Sequence, residues 1–115
     1  MKSVLWISRH NFTPAQYADL ERICGEKLEV VNHTANVEDL NDLRTEIAAA
    51  DVICAVLPIH LLAELRQMAG DDKPVLIAQA VRTLIPATDG GEPRVVFAHG
   101  GWQRVTRLEL VLDTL

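Results

Sequence analysis

The 115-residue sequence has only two cysteines, no surplus of positive charge and no long apolar run, and each scarcity excludes a class of protein. Cys24 and Cys54 form no CxxC pair and lie in apolar segments, which indicates buried thiols in a reducing compartment rather than a disulfide framework. The formal net charge of −5 argues against a protein that coats duplex DNA or RNA. No apolar stretch approaches the length of a membrane span, and the first residues lack a signal-peptide pattern. We therefore expect a cytoplasmic protein.

Familiar catalytic and cofactor motifs are missing as well. The sequence has neither the P-loop pattern nor GxGxxG, so neither a P-loop nor a standard dinucleotide site is indicated. It also has no GxSxG nucleophile elbow. The four histidines and two cysteines show no metal-ligand spacing, and we expect no metal and no cofactor. A small anionic ligand stays open, because local basic groups and helix N-termini bind anions even on an acidic protein.

Alternating strands and helices are the main feature of what is present. The predicted strands are Ser3–Ser8, Lys27–Asn32, Asp51–Pro58 and Lys73–Ala80. Between them we expect a helix that begins after Thr13, a helix capped by Asn36 that packs through Leu40, Leu43 and Ile47, and a helix over Ile59–Gly70. This order is typical of β-α-β units with right-handed crossovers. The sequence therefore predicts one α/β domain over residues 1–115, a Rossmann-like three-layer domain with a mostly parallel sheet.

The first helix has an unusually well-specified beginning. Thr13 and Gln16 match a capping box, and Phe12 and Tyr17 match the two ends of a hydrophobic staple. Gly25 is placed to end the helix. The helix is expected to bury the face formed by Tyr17, Leu20, Ile23 and Cys24. Because a buried strand precedes this start, the residues between strand and helix are expected to be held in place.

The alternation stops after Ala80. Residues 83–99 look like two extended segments around a turn at Asp89–Gly91. The last stretch, residues 102–115, fits a helix through Val105, Leu108, Leu112 and Leu115, and fits a strand through Leu108, Leu110 and Leu112. The Val105–Thr106 pair favours the strand. We therefore predict a β-rich C-terminal extension.

Polar side chains follow the predicted parallel strands at their carboxyl ends, where open α/β sheets bind ligands. The four segments are Ser8–Asn11, Asn32–Thr34, Pro58–His60, and Gln79 together with Arg82. These strand ends contain hydroxyl, amide, imidazole and guanidinium groups but no Asp or Glu, which favours a phosphate or nucleotide over a magnesium site. Ordinary loop roles stay open for Arg9 and His10, as an exposed charge and a loop histidine.

Trp102 begins a second group of interest, with Arg104 and Arg107 close behind it. The indole offers a surface on which a base could stack, and the two arginines could meet phosphates. The alternative is that Trp102 fills a core or a dimer contact while both arginines are solvated.

The sequence resembles the small stand-alone proteins of type III CRISPR systems that carry a reduced CARF-like Rossmann domain, a group that includes ring nucleases. The resemblance rests on the chain length, the β-α-β order and the opening SRHNFTPAQ (Ser8–Gln16), in which a polar segment with a histidine precedes a T-x-x-Q helix start. It covers the first half of the chain. It implies a CARF-like domain, a homodimer and a part in antiviral defence.

The activity that this resemblance implies is metal-independent cleavage of cyclic oligoadenylate. A ribose 2′-OH would attack the adjacent phosphorus and leave a 2′,3′-cyclic phosphate end. Arg9 would stabilise the charged transition state, and His10 would act as general base or general acid. The residues expected to bind the ligand are Ser8, Asn11, His60, Gln79, Arg82 and Trp102. Two other hypotheses stay open: a nucleotide sensor or sequestering module without turnover, and a regulatory partner that has no small ligand.

Overall fold

The central sheet of the computed structural model has the strand order β2-β1-β3-β4-β5. The structure describes residues 1–87, 90–108 and 112–115. Its strands are β1 Lys2–Ile7, β2 Leu28–His33, β3 Val52–Ala55, β4 Val75–Ile85 and β5 Arg94–Arg104. Its helices are α1 Pro14–Cys24, α2 Arg44–Ala49 and α3 Ile59–Ala69, with a 3₁₀ turn at Leu40–Leu43 that leads into α2. β1 to β4 are parallel and β5 is antiparallel to β4.

Both faces of the sheet are covered, which explains why its inner strands are apolar without alternation. On one face Val4 and Trp6 of β1 pack with Leu20 of α1. On the other face Leu5 and Ile7 of β1 pack with the side chains of α2 and α3. The predicted Rossmann-like α/β fold with a mostly parallel sheet is therefore confirmed, with three layers.

Two local predictions are corrected. Asn36 does not cap the second helix, because the carboxylate of Asp39 accepts the backbone N–H of Asn41 and begins the 3₁₀ turn instead. Ile23 does not join the buried face of α1, because its side chain is 48% exposed near the end of the helix. The predicted end of α1 is confirmed, since Gly25 adopts the left-handed conformation with φ 74°.

The C-terminal extension is a long antiparallel hairpin. β3 pairs with β4 only at Val75 and Leu76, whereas β4 and β5 pair along their whole length. β5 ends at Arg104, and residues 105–108 and 112–115 have no regular secondary structure. The strand predicted for the last segment is therefore confirmed only up to Arg104. Leu110 and part of the predicted turn, Asp89, lie outside the described residues.

The hairpin continues beyond the sheet as a separate ribbon. From Gln79 onward β4 is exposed, and β5 is exposed from Arg94 to Ala98. We call Gln79–Ile85 together with Arg94–His99 the arm, and the rest of the described chain the body. The radius of gyration is 16.9 Å, against about 13 Å for a compact domain of this length. The large radius reflects the arm, which leaves the body at the carboxyl edge of the parallel strands because β4 continues past its pairing with β3.

Candidate functional site

The loop between β1 and α1 is fixed by its own side chains. Ser8 is 3% exposed, and its Oγ accepts the backbone N–H of His10 at 3.1 Å. The indole N–H of Trp6 donates to the backbone oxygen of His10 at 2.8 Å. Since both contacts hold the main chain, the exposed side chains of Arg9 and His10 project from a defined backbone.

The start of α1 fixes the other end of this loop, as predicted. The Thr13 hydroxyl accepts the N–H of Gln16 at 3.1 Å, and the Gln16 side chain accepts the N–H of Thr13 at 2.9 Å. The rings of Phe12 and Tyr17 lie 6.3 Å apart and edge to face. The capping box and the staple are therefore both confirmed.

A cavity of about 300 Å³ opens at the carboxyl edge, between the ends of β1 and β3. In the order β2-β1-β3, the chain leaves β1 in one direction and β3 in the other, so this is the topological switch point at which doubly wound folds bind ligands. The lining comes from the end of β1, the first turn of α3 and the loops after β1, β2 and β3: Ile7, Ser8, Arg9, Ala35, Asn36, Val37, Glu38, Val56, Leu57, Pro58 and Leu61.

The charges of this cavity are mixed. Arg9 supplies one guanidinium, and α3 begins beside the cavity after Pro58 with no side-chain hydrogen bond to cap its first turn. Backbone N–H groups at such a helix start attract anions. Glu38, from the loop after β2, brings a carboxylate that the strand-end pattern did not include. Sequence reasoning missed Glu38 because it stands five residues beyond the end of β2.

The other predicted residues lie around the cavity or away from it. His10, on the loop after β1, and His60, in the first turn of α3, are both exposed near the cavity but do not line it. Asn11 lines a neighbouring cleft of about 580 Å³ with Phe12 and Tyr17. Gln79 and Arg82 lie on the arm, where both are exposed. The structure therefore brings Ser8 and Arg9 into the cavity, places His10 and His60 beside it, and keeps Gln79 and Arg82 outside it.

Trp102 lies in an aromatic cluster under α1. Its ring stacks on Phe12 at 5.8 Å and meets Trp6 edge to face at 6.1 Å. Its indole N–H donates to the backbone oxygen of Gln16 at 3.2 Å. These contacts correspond to the core alternative for this residue, and base stacking on Trp102 stays a prediction.

A contact between His99 and Asp19 at the base of the arm was not anticipated from the sequence. His99 Nε2 lies 2.9 Å from the Asp19 carboxylate, and the His99 side chain is only 8% exposed. The hydrogen bonds from Arg22 and then from His99 hold the pKa of Asp19 below its ordinary value of 3.8. His99 Nδ1 is buried and has no hydrogen-bond partner in the described part of the chain. The two residues are 80 positions apart, so no local pattern could have paired them.

A larger cavity of about 730 Å³ lies at the opposite, amino edge of the sheet. Five charged residues line it, Lys2, Asp51, Asp72, Lys73 and Arg104, and two of them connect parts of the fold. Asp51 accepts the N–H of Ser3, and the Lys73 ammonium donates to the carbonyls of Ile47 and Ala48. Because doubly wound sheets bind ligands at the carboxyl ends of their strands, we place the candidate ligand site at the carboxyl edge, where the Arg9 guanidinium is exposed.

Neither cysteine has a reactive environment. Both thiols are free, and burial raises the pKa of each, more strongly for Cys54 inside the sheet than for Cys24. A thiol with a raised pKa is a poor nucleophile, because little thiolate is present. Within residues 1–87, 90–108 and 112–115, no three His, Cys, Asp or Glu side chains are grouped so that they could hold a metal ion.

Comparison with known proteins gives no match: no family model, no curated protein and no solved structure is significantly similar to this chain. None of the described helices is both long enough and apolar enough to cross a membrane. The fold and the position of the cavity define the class, a Rossmann-like α/β domain with a candidate ligand site at its switch point.

Proposed function

We propose that the protein binds cyclic oligoadenylate at the carboxyl edge of its sheet and cleaves it as a metal-independent ring nuclease of type III CRISPR defence. The observation that carries the proposal is the cavity of about 300 Å³ at the switch point, with Arg9 in its lining. A guanidinium beside an uncapped helix start suits a phosphate group. The two free thiols fit a cytoplasmic protein.

The ligand is larger than one cavity, so the proposal requires a homodimer. A cyclic oligoadenylate with two-fold symmetry would lie across two copies, each of which supplies one cavity. Each half of the ring would then place a phosphate near one Arg9. This requirement explains how a chain of 115 residues could handle a large anion.

The proposed chemistry needs positioning and charge stabilisation. A ribose 2′-OH attacks the adjacent phosphorus, the bond from phosphorus to the 5′-oxygen breaks, and the products are a 2′,3′-cyclic phosphate and a 5′-hydroxyl. Arg9 stabilises the negative charge on the phosphoryl oxygens in the transition state. His10 takes the proton from the 2′-OH or gives one to the 5′-oxygen. Its backbone is held by Trp6 and Ser8, which limits the positions open to the imidazole.

Binding without turnover is the second candidate function. It is favoured by one observation, which is that neither His10 nor His60 belongs to the lining of the cavity. A site with a cation and no base in its lining suits a sensor or a sequestering module. In that case Arg9 and the start of α3 would hold the phosphates and no bond would break.

The first experiment incubates the purified protein with cyclic tetra-adenylate and cyclic hexa-adenylate in EDTA and separates the products by chromatography. The proposal predicts linear products with 2′,3′-cyclic phosphate ends. We expect His10→Ala to reduce turnover at least about 100-fold, a typical loss for general acid–base catalysis, while the ligand Kd changes little. Arg9→Ala is expected to weaken both binding and turnover.

The matched control is Arg44→Ala, which removes the same charge from an exposed residue of α2. It should leave binding and turnover unchanged. Rings that bind and stay intact would replace the ring nuclease with the sensor. If neither ring binds, cyclic oligoadenylate of these two sizes is not the ligand.

A further inference from the structure

The arm exposes apolar side chains on both of its faces. Cross-strand register places Val81, Thr83, Ile85 and Val96 on one face, and Arg82, Leu84, Val95 and Phe97 on the other. Six of these are large apolar side chains with exposed fractions between 37% for Ile85 and 68% for Phe97. Monomeric proteins seldom leave so continuous an apolar surface uncovered. The arm therefore has the composition of a buried ribbon.

Nothing in the described body covers this ribbon. Its contacts with the body are at its base, where His99 meets Asp19. A two-stranded ribbon is only marginally stable in water unless a face is packed. Among the described strands, β5 is the edge of the sheet and β4 pairs with β3 no further than Leu76, so the ribbon has no strand beside either of its edges there. A chain segment from outside the body that packed on one face of the arm would supply the missing cover.

The carboxyl edge of the body has the complementary surface. Val56 and Ile59 follow β3 beside the cavity and are 53% and 74% exposed. The body is also acidic, since residues 1–72 contain six Lys or Arg and twelve Asp or Glu. The arm carries Arg82 and Arg94 among its apolar side chains. A second copy therefore offers the basic arm an exposed apolar surface on an acidic body. We call this surface, formed by Val56 and Ile59, the landing surface.

We infer that two copies form a dimer by exchanging arms, each arm packing on Val56 and Ile59 at the carboxyl edge of the other copy. The inference deepens the homodimer of the proposed function and rests on it for the size of the ligand, but the contact itself needs no nucleotide. A second copy is the favoured occupant because one reciprocal contact covers every arm and every landing surface.

The size of the contact agrees with a stable dimer. At a rise of about 3.3 Å per residue, the seven residues from Gln79 to Ile85 give an arm roughly 23 Å long and roughly 10 Å wide. Each face is then on the order of 250 Å². Counting both arms and the surfaces that they cover, the total runs from about 1,000 Å² for one face to about 2,000 Å² for both, the range of specific interfaces.

The exchange gives Arg82 a role in the site. The arm leaves the body at the same edge as the cavity, so the arm of each copy would bring its Arg82 toward the other copy's cavity, where Glu38 lies. Arg82 would then add a second cation beside Arg9. Arg9 and Arg82 were predicted for one site from their strand ends. Within a single copy they are apart, because Arg9 lines the cavity and Arg82 lies on the arm.

The test is sedimentation equilibrium of the whole protein without any nucleotide. We expect a dimer for the unchanged chain and a dissociation constant raised at least 100-fold by the double substitution Leu84→Thr with Phe97→Thr. Both side chains are exposed on one face of the arm, and threonine keeps the strand preference. Ile59→Glu should dissociate the dimer to a similar degree. Val31→Thr is the matched control, a 47% exposed valine on the opposite edge of the sheet, and should have no effect.

Each outcome decides the inference. An unchanged chain that sediments as a monomer at 100 μM overturns it, and so does a dimer that tolerates the arm substitutions. A dimer broken by the arm substitutions but not by Ile59→Glu would show that the arm packs elsewhere, which also overturns it. Circular dichroism of each variant checks that the body is folded. Because no nucleotide is present, failure here is distinguishable from failure of the proposed ligand.

Discussion

The inner strands of the body and the strands of the arm have similar compositions but opposite environments. In β1, Val4, Leu5, Trp6 and Ile7 are all at most 1% exposed because helices cover both faces of the sheet. In the arm, Val95, Val96 and Phe97 are equally apolar, yet they are between 39% and 68% exposed. The difference teaches that apolar β-prone residues specify a strand, whereas its burial depends on what the rest of the chain, or another chain, places against it.

The sharpest way to test this contrast is to make the same change in both regions. Leu65 of α3 is fully buried and Leu84 of the arm is 62% exposed. We expect Leu65→Ala to lower the free energy of unfolding by about 3 kcal/mol, as a buried cavity does. Leu84→Ala should cost about 0.5 kcal/mol or less in the monomer, because little packing is lost.

Chemical denaturation at a series of protein concentrations checks this pair. The effect of Leu84→Ala should grow with concentration as dimers form, whereas that of Leu65→Ala should not. A loss of stability for Leu84→Ala that equals the loss for Leu65→Ala at the lowest concentration would contradict the comparison. It would mean that the arm is packed within its own chain.

The junction between body and arm gives the next largest effect. Gly100 is the extra residue where the pairing of β4 and β5 shifts between Gln79 and Ala80. A Cβ on Gly100 would lie 2.6 Å from the Cγ2 of Val81. We expect Gly100→Ala to destabilise the protein by about 1–2 kcal/mol through this overlap.

A double-mutant cycle isolates the cause. Val81→Ala removes the atom that the new Cβ would meet, so the double variant should recover most of the stability. Thermal unfolding followed by tryptophan fluorescence is the readout, because Trp102 lies two residues beyond Gly100. If Val81→Ala does not restore stability, the strain of Gly100→Ala lies in the backbone instead.

The elements of the body could be predicted because their signals are local. The capping box at Thr13 and Gln16 and the stop at Gly25 act over one turn of helix, and all were confirmed. The second helix was less accurate, because Asn36 and Asp39 are both good caps and tertiary packing of Leu40 and Leu43 chose between them. Where two capping residues are equally favourable, the packing of the core decides at which of them the helical segment begins.

The site was predicted only in part for the same reason. Ser8 and Arg9 follow a strand end and reach the cavity because strand ends meet at one edge. Gln79 also follows from that rule, but β4 continues past the edge, and this moves Gln79 and Arg82 onto the arm. Glu38 and the pair His99–Asp19 depend on loop paths and long-range packing, which no spacing encodes.

The pair His99–Asp19 provides the smallest effect and the most specific one, because it joins the arm to α1. The pKa of Asp19 is lowered by the hydrogen bonds from Arg22 and His99. The folded state therefore favours the ionised form of this carboxyl group more than the unfolded state does. This stabilisation is present above the ordinary pKa of 3.8 and is lost as the pH falls through the lower folded pKa.

Asp19→Asn should therefore remove part of the loss of thermal stability below about pH 4. Asp42→Asn, an exposed change of equal charge, should leave that pH dependence as it is. If Asp19→Asn has the acid profile of the unchanged protein, the hydrogen bonds from Arg22 and His99 to the Asp19 carboxylate do not stabilise the folded state.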